Sequence, residues 1–110
     1  MSTIVQGTTP ALRIVVPKSE FAVADVQQLE ITVWQEGKED FKVYGLDDVT
    51  VDVDANAYEV QFTEADTLAL EEFQGLCWQM HCKFSDGSIV GTAPSDPIRI
   101  APKQTGREMS

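Results

Sequence analysis

The sequence predicts an all-β fold, an immunoglobulin-like β-sandwich of seven or eight short strands with one short helix before the penultimate strand. Apolar and polar residues alternate over short stretches, which is the period of a half-buried strand. Turn residues separate these stretches at intervals of roughly 8–12 residues, as in sandwiches and barrels. A closed barrel is the alternative to the sandwich. We expect a single domain over residues 1–101.

The predicted central strand is Gly75–Phe84, GLCWQMHCKF. Side chains in a strand point alternately to opposite faces. The predicted inward set is Leu76, Trp78, Met80, Cys82 and Phe84, and the outward set is Cys77, Gln79, His81 and Lys83.

The two cysteines are not expected to form a disulfide. Five positions in one strand separate Cys77 from Cys82 by roughly 16 Å and place them on opposite faces. A disulfide needs Cα atoms within about 7 Å. The sequence therefore predicts two free thiols in a reducing compartment, with Cys82 buried and Cys77 on the outer face.

The first predicted strand is broken in its middle. Thr3–Gln6 is interrupted by Gly7–Pro10, and alternation resumes over residues 12–16 until Pro17, which offers no N–H to a ladder. Such a break lets a chain start on one sheet and cross to the other.

The next strand is Val26–Gln35, with Trp34 on its outer face. A three-residue loop, Glu36–Lys38, would keep Phe41 and Val43 on the inner face and place Tyr44 outside beside Trp34. A two-residue Glu36-Gly37 turn would reverse these faces, because register is fixed by parity. We favour the longer loop.

Residues 49–53 and 58–62 alternate in a second hairpin. A loop over Asp54–Ala57 would pair Val53 with Tyr58 and place six apolar side chains on one face. Thr63 then predicts a helix start, since its hydroxyl can accept from free N–H groups. Leu68 is expected to pack inward, with Ala65 and Leu70 as further candidates.

The final hairpin is predicted around Ser85–Ser88, where Asp-Gly is a strong two-residue turn signal. That turn would pair Phe84 with Ile89. Pro94 and Pro97 interrupt the partner strand, so it must lie at an edge or change sheets. Residues 102–110 are polar and predict a disordered tail.

The charge balance excludes several partners. Eighteen acidic and eight basic residues give a net charge of −10. Nucleic acid and anionic membrane surfaces would be repelled. No membrane span or signal peptide is visible, which predicts a protein that stays in the cytoplasm of its cell.

No motif predicts catalysis, a metal or a cofactor. Asp52-x-Asp54-x-Asn56 opens like a calcium loop, but the required Gly and Glu are replaced by Ala57 and Thr63. His81 and Cys77 lie about 13 Å apart in one strand, too far to share a metal. His81 is therefore predicted to be a surface residue.

Trp34 and Tyr44 are the candidate interface residues, because exposed Trp and Tyr are typical anchors of protein interfaces. The alternative is that the N-terminal strand or a loop covers Trp34.

The order of features resembles a family of small proteins encoded among the structural genes of prophages and tailed phages of Gram-positive bacteria. The shared elements are QGTTP at Gln6–Pro10, a strand ending ITVWQEGK at Ile31–Lys38, the hairpin and helix start of Val49–Leu70, and the D-G turn within Gly75–Pro94. Trp34 and the two cysteines have no placed equivalents. The resemblance implies an immunoglobulin-like structural or accessory virion component, of the tail, baseplate or head region.

We therefore expect a non-enzymatic protein that contacts other virion proteins or itself, made in the host cytoplasm and then incorporated into the virion. A carbohydrate- or cell-surface-binding sandwich, with Trp34 and Tyr44 stacking on sugar rings, is the alternative. An enzyme accessory domain or inhibitor is a third hypothesis.

Overall fold

A computed structural model of the chain describes residues 3–38, 41–71 and 74–101. Within them the chain is mostly β, which confirms the all-β prediction. The strands are β1 (Thr3–Val5), β2 (Ala11–Val15), β3 (Val26–Gln35), β4 (Phe41–Tyr44), β5 (Thr50–Asp52), β6 (Ala57–Gln61), β7 (Leu76–Phe84), β8 (Ile89–Gly91) and β9 (Arg99–Ala101). The helical elements are α1 (Glu64–Leu68) and single 3₁₀ turns at Val23–Asp25 and Leu46–Asp48.

The strands form two antiparallel sheets and a parallel pair. The four-stranded sheet has the order β4-β3-β7-β8, and the three-stranded sheet has the order β2-β6-β5. β1 pairs in parallel with β9, whereas β2 pairs with β6, which confirms that the broken first strand serves two sheets. Gly7 lies in the break at φ +77°, a conformation that suits glycine.

The inner faces of the two antiparallel sheets share one hydrophobic core. Ile31 of β3, Val60 of β6 and Ile100 of β9 are fully buried in it. The Tyr44 ring of β4 meets the Phe62 ring, just after β6, edge to face at 6.3 Å between centroids. This packing is that of a β-sandwich, whereas the immunoglobulin-like assignment stays a prediction.

β7 has the predicted alternation, with one correction. Leu76, Met80 and Cys82 are buried, and Trp78 packs partly buried against the same core. Cys77, however, is buried and not exposed. The alternation within β7 correctly places it opposite the core, but it does not show what covers that face.

The β7–β8 hairpin differs from the predicted register by one residue. Lys83 lies opposite Ile89, whereas the predicted two-residue turn would have paired Phe84 with Ile89. The loop has three residues: Gly87 donates its N–H to the Phe84 carbonyl and adopts φ +86°. A type I turn followed by a left-handed glycine inserts this extra residue.

The two prolines end β8 as predicted, yet the segment continues beside β7. The N–H of Met80 donates to the Thr92 hydroxyl at 3.0 Å, and the N–H of Trp78 donates to the Ser95 hydroxyl at 2.9 Å. Leu76 and Ile98 then exchange both backbone hydrogen bonds. Side-chain hydroxyls thus replace backbone carbonyls where the irregular path removes the ladder.

The β5–β6 hairpin turns one residue earlier than predicted. Val51 lies opposite Tyr58 rather than Val60, and Val53 falls in the turn, 58% exposed. The pairing shifts by two residues, which keeps Val51 on the same face as Tyr58, but Val51 is 37% exposed, so the six apolar side chains are not all buried. Asn56 ends the turn at φ +55°, and its buried amide fixes the turn position.

The helix start is confirmed. The Thr63 hydroxyl accepts from the Asp66 N–H at 3.1 Å, and an Asp66 carboxylate oxygen accepts from the Thr63 N–H at 2.9 Å. The fully buried residue of α1 is Thr67, whose hydroxyl donates to the Thr8 carbonyl. Leu68 is only half-buried. The predicted tail, residues 102–110, lies outside the described residues.

Candidate functional site

The predicted partners Trp34 and Tyr44 lie on opposite faces of the four-stranded sheet. Tyr44 is opposite Ile31 in the ladder, so it points into the sandwich, where it is 7% exposed. The preferred loop and the exposure of Tyr44 were therefore wrong. Lys38 donates its N–H to the Gln35 carbonyl across a turn centred on Glu36 and Gly37, which gives the parity of the alternative turn.

Tyr44 is held inside by neighbours that the hairpin sequence does not reveal. Its ring lies against Phe62, and the Lys42 ammonium lies 5.1 Å from its ring centroid. Burial raises the pKa of the Tyr44 phenol. Tyr44 can therefore not serve as an exposed anchor, and Trp34 remains the candidate.

Trp34 is half-buried on the outer face, in the same ladder row as Cys77. The adjacent row contains Val43, Thr32 and Gln79, and Val43 is 53% exposed. We call Trp34, Thr32, Val43 and Gln79 the outer patch. Its mixed apolar and amide surface is of the kind found in protein interfaces.

The segment after β8, residues 92–98, runs along the edge of β7 next to the outer face. Gln79 donates its side-chain N–H to the Thr92 carbonyl, which ties this segment to the sheet. Burial, followed by the charges of Glu36 and Asp96, raises the pKa of the Cys77 thiol. Both cysteines are free thiols, as predicted, but neither is exposed.

A cleft of about 380 Å³ opens between the β3–β4 hairpin and α1. Both Trp34 and Tyr44 contribute to its lining. The remaining lining residues are Val33, Gln35, Lys38, Lys42, Phe62, Ala65, Asp66, Ala69, Leu70 and Leu76. Most are apolar, with a few polar groups at defined positions, which is the usual composition of a binding cleft.

Lys42 occupies the key position on the cleft wall. It stands opposite Val33 in the ladder, so its side chain points to the inner face although β4 is an edge strand. Its ammonium bonds the Asp66 carboxylate at 3.0 Å, which raises the pKa of Lys42. The backbone N–H of Thr63 is the main reason that the pKa of Asp66 is lowered.

A second lysine lies at the other side of the cleft. Lys38 pairs with Glu71, and both side chains remain substantially exposed. The Gln35 amide, 8% exposed, donates to the Glu71 and Gln74 carbonyls and accepts the Glu71 N–H. These bonds fix the wall of the cleft beside the hairpin.

The Asp/Asn-rich turn is structural. Arg13 bonds Asp52 and Glu59, each at 2.8 Å, and its bond to Asp52 is the main reason that the pKa of Asp52 is lowered. Asn56 points inward and bonds three backbone groups. In the described part of the chain, no group of three or more His, Cys, Asp or Glu side chains could hold a metal ion.

His81 is exposed, as predicted. It faces Gly91 across the β7–β8 ladder, and a Cβ at Gly91 would lie 2.9 Å from the imidazole ring. The glycine therefore makes room for the ring.

The sequence did not reveal that Lys42 lines the cleft or that the buried Asn56 side chain bonds several backbone groups. A lysine between Phe41 and Val43 gives no local sign that it points inward. Asn56 gave a partial signal, because asparagine tolerates left-handed backbone better than most residues.

No protein-family model matches the chain. No curated protein matches it significantly. Among the described residues, no helix has the length and apolar character to cross a membrane.

Proposed function

We propose that this protein is a non-enzymatic structural or accessory component of a phage virion, acting through protein–protein contacts. The order of its sequence elements, which resembles phage structural-region proteins, supports the virion assignment. The observation that carries the contact function is the outer patch, where Trp34 and the 53% exposed Val43 lie on the outer face of the four-stranded sheet. Interfaces concentrate binding energy in such aromatic residues.

The contacts of the described charged side chains also favour binding over catalysis. The two lysines of the cleft and Arg13 are engaged in ion pairs. His81 is exposed and lines a separate cavity, whose described lining residues include no other histidine and only Glu30 as an acidic group. The carbohydrate-binding alternative loses half of its stacking pair, because Tyr44 is buried.

Virion membership can be tested on particles. Phage particles would be purified from the strain that carries the gene and analysed by quantitative mass spectrometry, with a gene-deletion strain as control. We expect the protein at a fixed copy number per particle. Its absence from wild-type particles, together with normal particles from the deletion strain, would refute the proposal.

The contact surface can be tested with one variant. Trp34→Ala should lower the copy number in particles, or weaken self-association measured by light scattering, while the fold persists. Gln28→Ala, an exposed change on β3 outside the patch, is the matched control.

A further inference from the structure

The cleft lies beside a free sheet edge. β4 pairs with β3 alone among the described strands, so its other side offers unpaired backbone groups. Lys42 and Tyr44 come from this same strand and line the cleft. A strand added to β4 would therefore have a ladder to join and a cavity next to it. Peptide recognition by strand addition combines these two features.

Among the described residues that line the cleft, basic side chains outnumber acidic ones, whereas acidic residues dominate the whole chain. The chain carries 18 acidic and eight basic residues. Of the described charged side chains that line the cleft, two are lysines, Lys38 and Lys42, and one is Asp66. Both lysines are in exposed ion pairs, which contribute little stability and can accommodate another carboxylate.

The cleft interior is apolar. Phe62, Leu70 and Leu76 line it together with Val33. Its volume of about 380 Å³ falls in the range of ligand sites and accommodates a large side chain. An apolar group buried there would lose contact with water, while a neighbouring carboxylate would meet the lysine ammonium groups.

We propose that β4 and the adjoining cleft bind an extended segment of a partner protein that carries an apolar side chain and, two residues away, a carboxylate. The spacing follows from strand geometry, because side chains two residues apart share a face. The inference rests on the proposed contact function and specifies its partner chemistry. It concerns the cleft, whose lining shares Trp34 with the outer patch.

The test uses the full chain labelled with ¹⁵N and a blocked peptide, acetyl-Thr-Phe-Thr-Glu-Thr-amide, together with its reversed sequence. Amide chemical shifts are followed during titration. We expect saturable shifts at Lys42, Tyr44 and Leu70 for at least one order, with a dissociation constant of about 1 mM. Replacing Phe by Ala in the peptide should weaken binding about tenfold. Replacing Glu by Gln should weaken it about threefold.

Protein variants locate the site. Ala69→Phe places a ring in the cleft and should abolish binding, and Lys42→Met should reproduce the loss seen with the Gln peptide. Lys83→Met removes an exposed charge on β7, outside the cleft, and should leave binding unchanged. Circular dichroism verifies the fold of each variant.

Absence of saturable shifts with both orders, equal binding of the Phe and Ala peptides, or shifts confined to the outer patch would each overturn the inference. None of these results affects virion membership, which the particle analysis decides separately. Peptide binding at the cleft by a protein absent from particles would support this inference and refute the virion proposal.

Discussion

Replacing Asn56 with Ala should be among the most destabilising single changes outside the apolar core. The Asn56 side chain is 3% exposed and makes three hydrogen bonds of 2.8 Å. It accepts from the Val23 N–H and donates to the Val16 and Phe21 carbonyls. These bonds tie the β5–β6 turn to the end of β2 and to the connection that precedes β3.

The magnitude follows from counting these bonds. Each contributes about 1 kcal/mol net, and a buried group left without a partner costs about 1–3 kcal/mol. In Asn56→Ala, the Val23 N–H and the Val16 carbonyl would lose their side-chain hydrogen-bond partner. Asn56→Ala should therefore lower the free energy of unfolding by about 3–5 kcal/mol, a large share of the 5–15 kcal/mol typical of a domain.

Two matched variants separate the contributions to this loss. Asn56→Gly removes the same bonds but tolerates φ +55°, so it should be about 1 kcal/mol less destabilised than Asn56→Ala. Asn56→Asp keeps the acceptor for Val23 but turns a carboxylate towards two carbonyl oxygens. Its penalty should shrink as pH falls, because the protonated acid can donate again.

Urea unfolding followed by circular dichroism measures all three variants. A loss below about 1 kcal/mol for Asn56→Ala would refute the view that this amide organises the turn. An Asn56→Asp penalty that does not change with pH would contradict the stated orientation of the amide.

Four further outcomes are expected. Trp78→Ala should lower the free energy of unfolding by about 2 kcal/mol, less than for a fully buried aromatic residue, because Trp78 is half-buried. An unchanged melting temperature would contradict its contact with the core. Trp34→Ala should cost about 1 kcal/mol in stability yet weaken assembly by about 2 kcal/mol, and a stability loss equal to that of Trp78→Ala would place Trp34 in the core. Cys77 and Cys82 should both react slowly with iodoacetamide in the folded protein, because both are buried and burial raises their pKa values, that of Cys82 to about 11. Fast labelling of Cys77 alone would mean that the groups burying Cys77 move away from it. Asp66 has a lowered pKa, so its contribution to stability is present above its unfolded-state pKa and is lost as pH falls through its folded-state pKa. The stability difference between the parent and Asp66→Asn should therefore vanish in acid. A difference that persists in acid would refute the charge-based account.

The sequence predicted those features that depend on local pattern. Alternation placed Leu76, Met80 and Cys82 in the core, and Thr63 marked the start of α1. Pro94 correctly ended the last hairpin strand. Each depends on groups within a few residues along the chain, so a single sequence contains the necessary information.

The register of the hairpins and the burial of residues on the outer sheet face were harder to predict. In the β7–β8 hairpin, a left-handed Gly87 adds one residue to the loop, and the same Asp-Gly pair suits both turn lengths. Tyr44 points inward, where its ring packs against Phe62 and lies near the Lys42 ammonium. Cys77 is buried although it lies on the face opposite the core. These outcomes depend on residues brought together only by the fold.

The hydroxyl bonds of Thr92 and Ser95 to β7 have a consequence for assembly geometry. These bonds lie between β7 and the segment after β8, so this segment occupies the β7 edge beyond β8, and Pro94 and Pro97 keep its path irregular. In the described part of the four-stranded sheet, the edges left for strand addition are therefore β4 and the three residues of β8. Addition at the β4 edge alone would give such a sheet a valence of one, so that two sheets could join as a closed pair but could not propagate into a fibre.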